Sequence, residues 1–514
     1  MDKMKAFILS ASIIMVTVPS TLAAPAAPAP VIPSVTKLNP EWYPVNKTLP
    51  IRPTGSNILN TNSTRGGKDD PSAQYIIIMK DTEQRKWGEV FEDMGFSTRE
   101  IKRSFRAHSA SGNHTFQSFR TFQIDDGSHI KAFGTHVRGF TLEMLESEAE
   151  SMGTLENVKY IEKDQIYEAG VVRDGGYYSQ YSGVDRTVKH ESKHEKRQQQ
   201  QQQPQQPQQP QVGQFYQQSG APWNLQRISE VNRIAPNSGS GTSLGFNYIY
   251  DGTAGTGVDV YMIDSGINQH VEFGNRARMI FSAFGENYSD DHGHGTHTAG
   301  TVGSLRYGVA KNVNLMGIKV LDSNNRGSNT GIIAGMEAAL ASHLQRKNAP
   351  GFAGSIISMS IGGGGSQAQF DVLRRITEAG MHVSLSAMND NKDACTAFPG
   401  GYSRELPIFN VGATDINDNR ASFSNFGACV NIHAPGVEIV STNNQDAQGT
   451  KVMQGTSMAC PAVSGVIALE LVRNPRFKFD PRGMIAHIQS MAINGVVGGA
   501  SGGQIMLNNG VTGR

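Results

Sequence analysis

The stretch Gly455-Thr456-Ser457-Met458-Ala459-Cys460-Pro461, followed by the apolar run Val463 to Leu471, decides how this chain is read. Small residues flank a serine just ahead of a helical segment. A serine there meets the free N–H groups and the positive end of a helix dipole. That setting suits a nucleophile whose intermediate is an oxyanion, although a plain serine cap would leave the same local pattern. Two upstream segments separate the readings. Val258-Asp259-Val260-Tyr261-Met262-Ile263-Asp264-Ser265-Gly266 reads as a buried strand ending at an acidic residue and a glycine turn. Open α/β sheets build their sites at such strand ends. In His292-Gly293-His294-Gly295-Thr296-His297-Thr298-Ala299-Gly300, glycines flank His294 at a helix start. His292 and His297 have no evident acid–base role and are read as structural. Asp264, His294 and Ser457 together supply a nucleophile, its general base and the group that orients the base.

With VYMIDSG, HGTHTAG and GTSMACPAVSG in that order, the chain resembles the subtilisin family, nearest its proteinase K and cerevisin-like branch, over roughly residues 220–514. The resemblance implies a serine endopeptidase that hydrolyses peptide bonds through Asp264, His294 and Ser457 and is made as a preproenzyme. It places Asn389, in Ser386-Ala387-Met388-Asn389-Asp390, as the oxyanion-hole donor. Ser360, Ile361 and Gly362 are expected to form a substrate-binding edge, with Ser386, Ala387 and Met388 also at the substrate. Such an edge adds an extended peptide as a strand, which gives backbone-driven affinity and broad specificity. Asp322 to Thr330 resembles the loop on the other side of the substrate. Met388 stands where the family usually has glycine, which puts the pocket for the residue before the cut in question.

Three cysteines are present. Pairing of Cys395 with Cys429 is implied by cerevisin-like relatives; connectivity does not follow from spacing. Cys460 would then be a free, buried thiol. Asn431 occupies a position where proteinase K-like enzymes use an aspartate to bind calcium. An amide oxygen ligates calcium without the charge that tightens binding, so no cofactor is required and calcium is admitted only as a structural ion. No catalytic metal is expected, because the histidine cluster lacks an adjoining acidic ligand.

Lys3 and Lys5, the apolar run Ala6 to Val18 and small residues near Ala23 form a secretory signal pattern, here residues 1–23. A secreted protein is expected, with a vacuole as the alternative destination. Residues 24–72 read as a disordered leader rich in Pro, Ala, Asn and Ser. Residues 73–168 read as a compact α/β, ferredoxin-like unit resembling the inhibitor-type propeptide of subtilisins. Its expected elements are a strand Tyr75–Met79, a helix Thr82–Met94, a strand region Lys131–Phe140, a helix Thr141–Met152 and a last strand Asn157–Asp164. The propeptide is expected to act as an intramolecular inhibitor. Residues 169–219 read as a Gln/Pro-rich spacer, with removal either after the propeptide or at Lys196-Arg197. Residues 220–514 alternate strand and helix signals, which argues for a mainly parallel sheet flanked by helices. The net charge of +1 gives no basic field for nucleic acid. No later run reaches about 18 apolar residues, so no membrane anchor is expected. The expected partners are protein or peptide substrates, and a monomer is expected.

Overall fold

A computed structural model describes residues 72–101, 119–124, 127–170, 172, 212–236, 238–499 and 505–511. The signal, the leader, most of the spacer and Lys196-Arg197 lie outside the described residues.

The larger part is a nine-stranded sheet. Its order is Ala277–Ser282, Asn314–Lys319, Val258–Asp264, Gly354–Met359, His382–Ser386, Phe409–Thr414, Ile432–Pro435, Ile505–Met506 and Ile493–Asn494. All neighbours are parallel except the last pair. Parallel strands covered on both faces read as continuous apolar runs, and Val258–Asp264 is buried at every position. Val258, Val260 and Met262 join the core under the helix Thr456–Arg473. Tyr261 points to the opposite face, where its hydroxyl meets Ser342 Oγ at 3.0 Å on the helix Asn329–Arg346. The helix Thr456–Arg473 is apolar enough to cross a membrane by composition, but it is the core helix, with only its last two residues less than fully buried.

The propeptide region forms a six-stranded antiparallel sheet in the order Thr98–Ile101, Arg120–Ile124, His129–Phe133, Gly139–Leu145, Ser72–Met79 and Val158–Lys163. Two expected elements are corrected. Thr141 to Leu145 is strand, not helix, and only Glu146–Met152 is helical. The near-helical spacing of Leu142, Leu145 and Ala149 misled; Phe140, Leu142 and Met144 alternate into the core with period two. The helix expected from Thr82 is only Trp87–Asp93. Before it, Glu83 accepts the Arg85 N–H and Arg138 donates to the Glu83 carbonyl, which holds a turn.

This sheet sits on two helices of the larger part. Glu337, on the helix Asn329–Arg346, accepts the N–H groups of Thr135, His136 and Val137 at 2.9–3.2 Å. Glu162 accepts from Ser366 Oγ and the Gln367 N–H at the start of the helix Gln367–Glu378. Asp164 accepts from the Thr330 hydroxyl and N–H. Carboxylates at helix starts satisfy free donors and the dipole.

Two boundaries differ from the sequence reading. The strand Phe215–Ala221 begins inside the stretch read as spacer and pairs with Phe246–Asp251. The strand Ile166–Ala169 carries the propeptide tail past residue 168. Both are short; Phe215–Ala221 has its two aromatics side by side and Ile166–Ala169 has only four residues, so neither shows a period.

Candidate active site

Asp264 ends its strand, and the chain turns at once through Ser265 and Gly266. The helix His294–Gly303 packs directly on that turn: a Cβ at Gly295 would lie 2.1 Å from the Gly266 carbonyl oxygen. Only glycine permits this approach, and it brings His294 Nδ1 to 2.6 Å from Asp264 Oδ1, both residues being buried. Burial pushes the Asp264 carboxyl up. The facing His294 and hydrogen bonds from His294, the Ser265 N–H and Thr298 Oγ1 outweigh it, so the group sits below its ordinary value.

The loop before His294 is organised by Asp290, which the sequence reading missed. Its buried carboxylate accepts from Ser265 Oγ, the N–H groups of His292, Gly293 and Thr296, and Thr296 Oγ1, at 2.6–3.2 Å. It thereby caps the histidine helix and ties it to the Asp264 turn. The available signal was Asp290-Asp291 directly ahead of His-Gly-His, which also corrects the expectation that the histidine cluster has no acidic neighbour.

Ser457 is the second residue of the helix Thr456–Arg473. Pro461 lacks an N–H, so the Ser457 carbonyl loses its helical partner; Ser360 Oγ donates to it instead at 3.2 Å. Asn389 accepts the Thr456 N–H and Thr456 hydroxyl on Oδ1, at 2.9 and 3.0 Å. That fixes which end of the amide faces the site. Asn389 Nδ2 is buried and unpaired, and so is His294 Nε2.

The propeptide tail occupies the cleft as the middle strand of a small sheet. Ile166 to Glu168 pair antiparallel with Arg326–Ser328, and Glu168 and Ala169 with Ile361–Gly362. Gly170 then donates its N–H to the Ser360 carbonyl at 3.0 Å, and its own carbonyl accepts the Ser457 N–H at 3.2 Å. The Ser457 hydroxyl donates to the Ser360 carbonyl at 3.4 Å. Past the site, the Val172 N–H reaches the Gln454 carbonyl at 3.3 Å. Tyr167 is fully buried, with its hydroxyl on the Gly364 carbonyl.

Residues 255–508 match the Subtilase family and residues 74–169 match Peptidase inhibitor I9. The chain is 40% identical over 51% of its length to a subtilisin-like serine protease of Rhodotorula mucilaginosa, of which it covers 75%. The chain belongs to the subtilase family. It is also 40% identical to cerevisin of Saccharomyces cerevisiae, over 51% of this chain and 40% of that one. Alkaline protease 2 of Aspergillus fumigatus is 42% identical over 49% of this chain and 50% of its own. The match thus spans half or less of the length of these two relatives. A solved cold-adapted subtilisin-like serine proteinase is 35% identical, over 57% of this chain and 99% of that one, with a TM-score of 0.49.

The remaining expected residues of this subtilase fall as follows. Ser386 and Met388 border Gly170: a Cβ on Gly170 would lie 3.2 Å from Ser386 Oγ and from Met388 Sδ. Ala387, one residue past the strand His382–Ser386, packs with Ala394, Cys429 and Val430 beside the Cys395–Cys429 disulfide. Cys460 is buried and free, and burial raises its thiol. His297 is buried against the Ile439 and Lys451 carbonyls, and burial lowers it to about 3, so it stays neutral. Asn431 Oδ1 accepts the Asn410 N–H at 2.8 Å, and its Nδ2 donates to the Ile408 carbonyl at 2.9 Å. Gly170, Tyr167, Thr456 and the Arg326–Ser328 edge complete the site, and of these only the last lay in a segment assigned to the substrate.

Proposed function

We propose that this chain is a serine endopeptidase made as a zymogen, and that the Gly170–Val171 bond of its own propeptide is its first substrate. The observation that carries the reading is the Gly170 carbonyl resting on the Ser457 N–H, with His294 Nε2 and Asn389 Nδ2 both buried and unpaired at the same site. Ser457 Oγ turns from the Ser360 carbonyl and attacks the Gly170 carbon. His294 Nε2 takes the hydroxyl proton and passes it to the leaving amine of Val171. Asp264 keeps the Nδ1 proton in place and stabilises the imidazolium. The Ser457 N–H and Asn389 Nδ2 donate to the oxyanion. Water then releases the Gly170 carboxyl by the reverse proton path. The cleaved tail stays in the cleft through its strand pairing and Tyr167, so the product inhibits until the propeptide leaves.

The signal pattern and the Cys395–Cys429 disulfide support a secretory route, ending outside the cell or in a vacuole. The processed enzyme is expected to act as a monomer on protein and peptide substrates. The test is covalent labelling by a fluorophosphonate together with casein hydrolysis, both insensitive to a chelator and both lost in Ser457→Ala. Labelling retained in Ser457→Ala would overturn the assignment of the nucleophile.

A further inference from the structure

Under the endopeptidase reading, on which this inference rests, the residue whose carbonyl is attacked needs a pocket for its side chain. Here that pocket lies between the edge Ser360 to Gly362 and the turn Ser386 to Met388. It is filled from within. Met388 holds φ at +73°, a conformation glycine adopts freely and a methionine rarely does. The turn is pinned, since the Met388 carbonyl accepts the Asn425 N–H at 3.0 Å. From this backbone the side chain crosses to the opposite wall: a Cβ at Gly362 would lie 2.5, 2.6 and 2.8 Å from Met388 Sδ, Cγ and Cε. Met388 Sδ also lies 3.6 Å from Ser386 Oγ. The methionine therefore bridges both walls of the pocket.

The tail matches this filling. At the attacked position it carries Gly170, and a single added carbon there would stand 3.0 Å from Ser457 Oγ and 3.2 Å from both Met388 Sδ and Ser386 Oγ, closer than ordinary van der Waals contact. The rest of the tail holds by other means: strand pairing at Ile166 to Ala169, the buried Tyr167, and Glu168 with Arg326 at 3.1 Å. Affinity thus comes from backbone and upstream contacts, and the position before the cut is left to a residue without a side chain.

We infer that Met388 makes this a glycine-selective endopeptidase, which cleaves extended segments after glycine and excludes large side chains at that position. Alanine fits with a small displacement of the thioether. A leucine or phenylalanine has to drive Met388 out from between Gly362 and Ser386.

The test uses enzyme matured from the full chain and quenched peptides Tyr-Glu-Ala-Xaa-Val-Val, with Xaa as Gly, Ala, Leu or Phe. Steric exclusion of this kind discriminates by about 10–200-fold per carbon group. The expected order of kcat/KM is Gly, then Ala, then Leu and Phe, with Phe at least about tenfold below Gly. Met388→Gly relieves the backbone and empties the pocket; it should raise Phe cleavage by about tenfold or more while Gly cleavage continues. The wild-type profile needs no variant and stands if Met388→Gly is poorly made. A fluorophosphonate-labelled enzyme that cut after Phe as readily as after Gly, or a Met388→Gly profile equal to wild type, would overturn glycine selectivity and leave the endopeptidase reading intact. An enzyme neither labelled nor active on any peptide would overturn both.

Discussion

Asn389→Ala should abolish most turnover without weakening substrate binding. In the occupied cleft the attacked carbonyl accepts from the Ser457 N–H, while Asn389 Nδ2 is buried and makes no bond. Its hydrogen bond is therefore available to the oxyanion and absent from the bound ground state, so its loss appears in kcat and not in KM. In subtilisin itself, removing one such donor is known to cost about 10²–10³ in kcat, or about 3–4 kcal/mol. Alanine also leaves the Thr456 N–H without its 2.9 Å acceptor. Asn389→Asp separates the two effects: it keeps an acceptor for Thr456 but replaces the donor with a carboxylate facing the developing negative charge. Its turnover should fall at least as far as that of Asn389→Ala, with a smaller loss of stability. The assay is steady-state hydrolysis of the Gly peptide by matured protein, with Tm measured on each variant in the Ser457→Ala background to prevent self-digestion. An Asn389→Ala enzyme with kcat within about threefold of wild type, well short of the range for a lost oxyanion donor, would refute the reasoning.

Glu162 is pushed up to about 7 by burial against Ser366 and Gln367, and burial raises Asp164 as well. Both carboxyls bind protons more tightly in the complex than in free propeptide, so this contribution to association is complete below about 4.5 and is lost as pH rises through about 7; the cleaved propeptide should leave faster at pH 8 than at pH 5 by gel filtration, and Glu162→Gln should flatten that dependence. Replacing Cys395 and Cys429 by serine opens a loop of 34 residues and should cost up to about 4 kcal/mol in the chain-entropy treatment, read by urea unfolding in the Ser457→Ala background. Tyr167→Ala removes the buried anchor of the tail and should shorten the inhibited phase after processing, seen as earlier onset of peptidase activity; an unchanged lag would count against the anchor.

Much of the site was legible because its chemistry is tied to rare residue combinations. Asp264, His294 and Ser457 each sit at a strand end or helix start marked by glycine, and glycine there reflects a close approach such as Gly295 on Gly266. The parallel sheet was legible from the alternation of strand and helix signals. The tail was not: Tyr167-Glu168-Ala169-Gly170 has no period, and its partners lie about 150 to 290 residues away in sequence. Asp290 and Thr456 act through hydrogen bonds to neighbours, which leaves no pattern in composition. The false helix at Thr141 to Leu145 came from the near-helical spacing of Leu142, Leu145 and Ala149; strand pairing with Ser72–Met79 decided the outcome and put Phe140, Leu142 and Met144 on the core face.

Intact-mass analysis of the freshly expressed chain tests the central claim most directly. Wild type should yield a propeptide fragment ending at Gly170 and its complement beginning at Val171, and Ser457→Ala produced without another active protease should yield neither. The same Gly170–Val171 cut in Ser457→Ala, or a wild-type chain first cut elsewhere with Gly170–Val171 left whole, would contradict it.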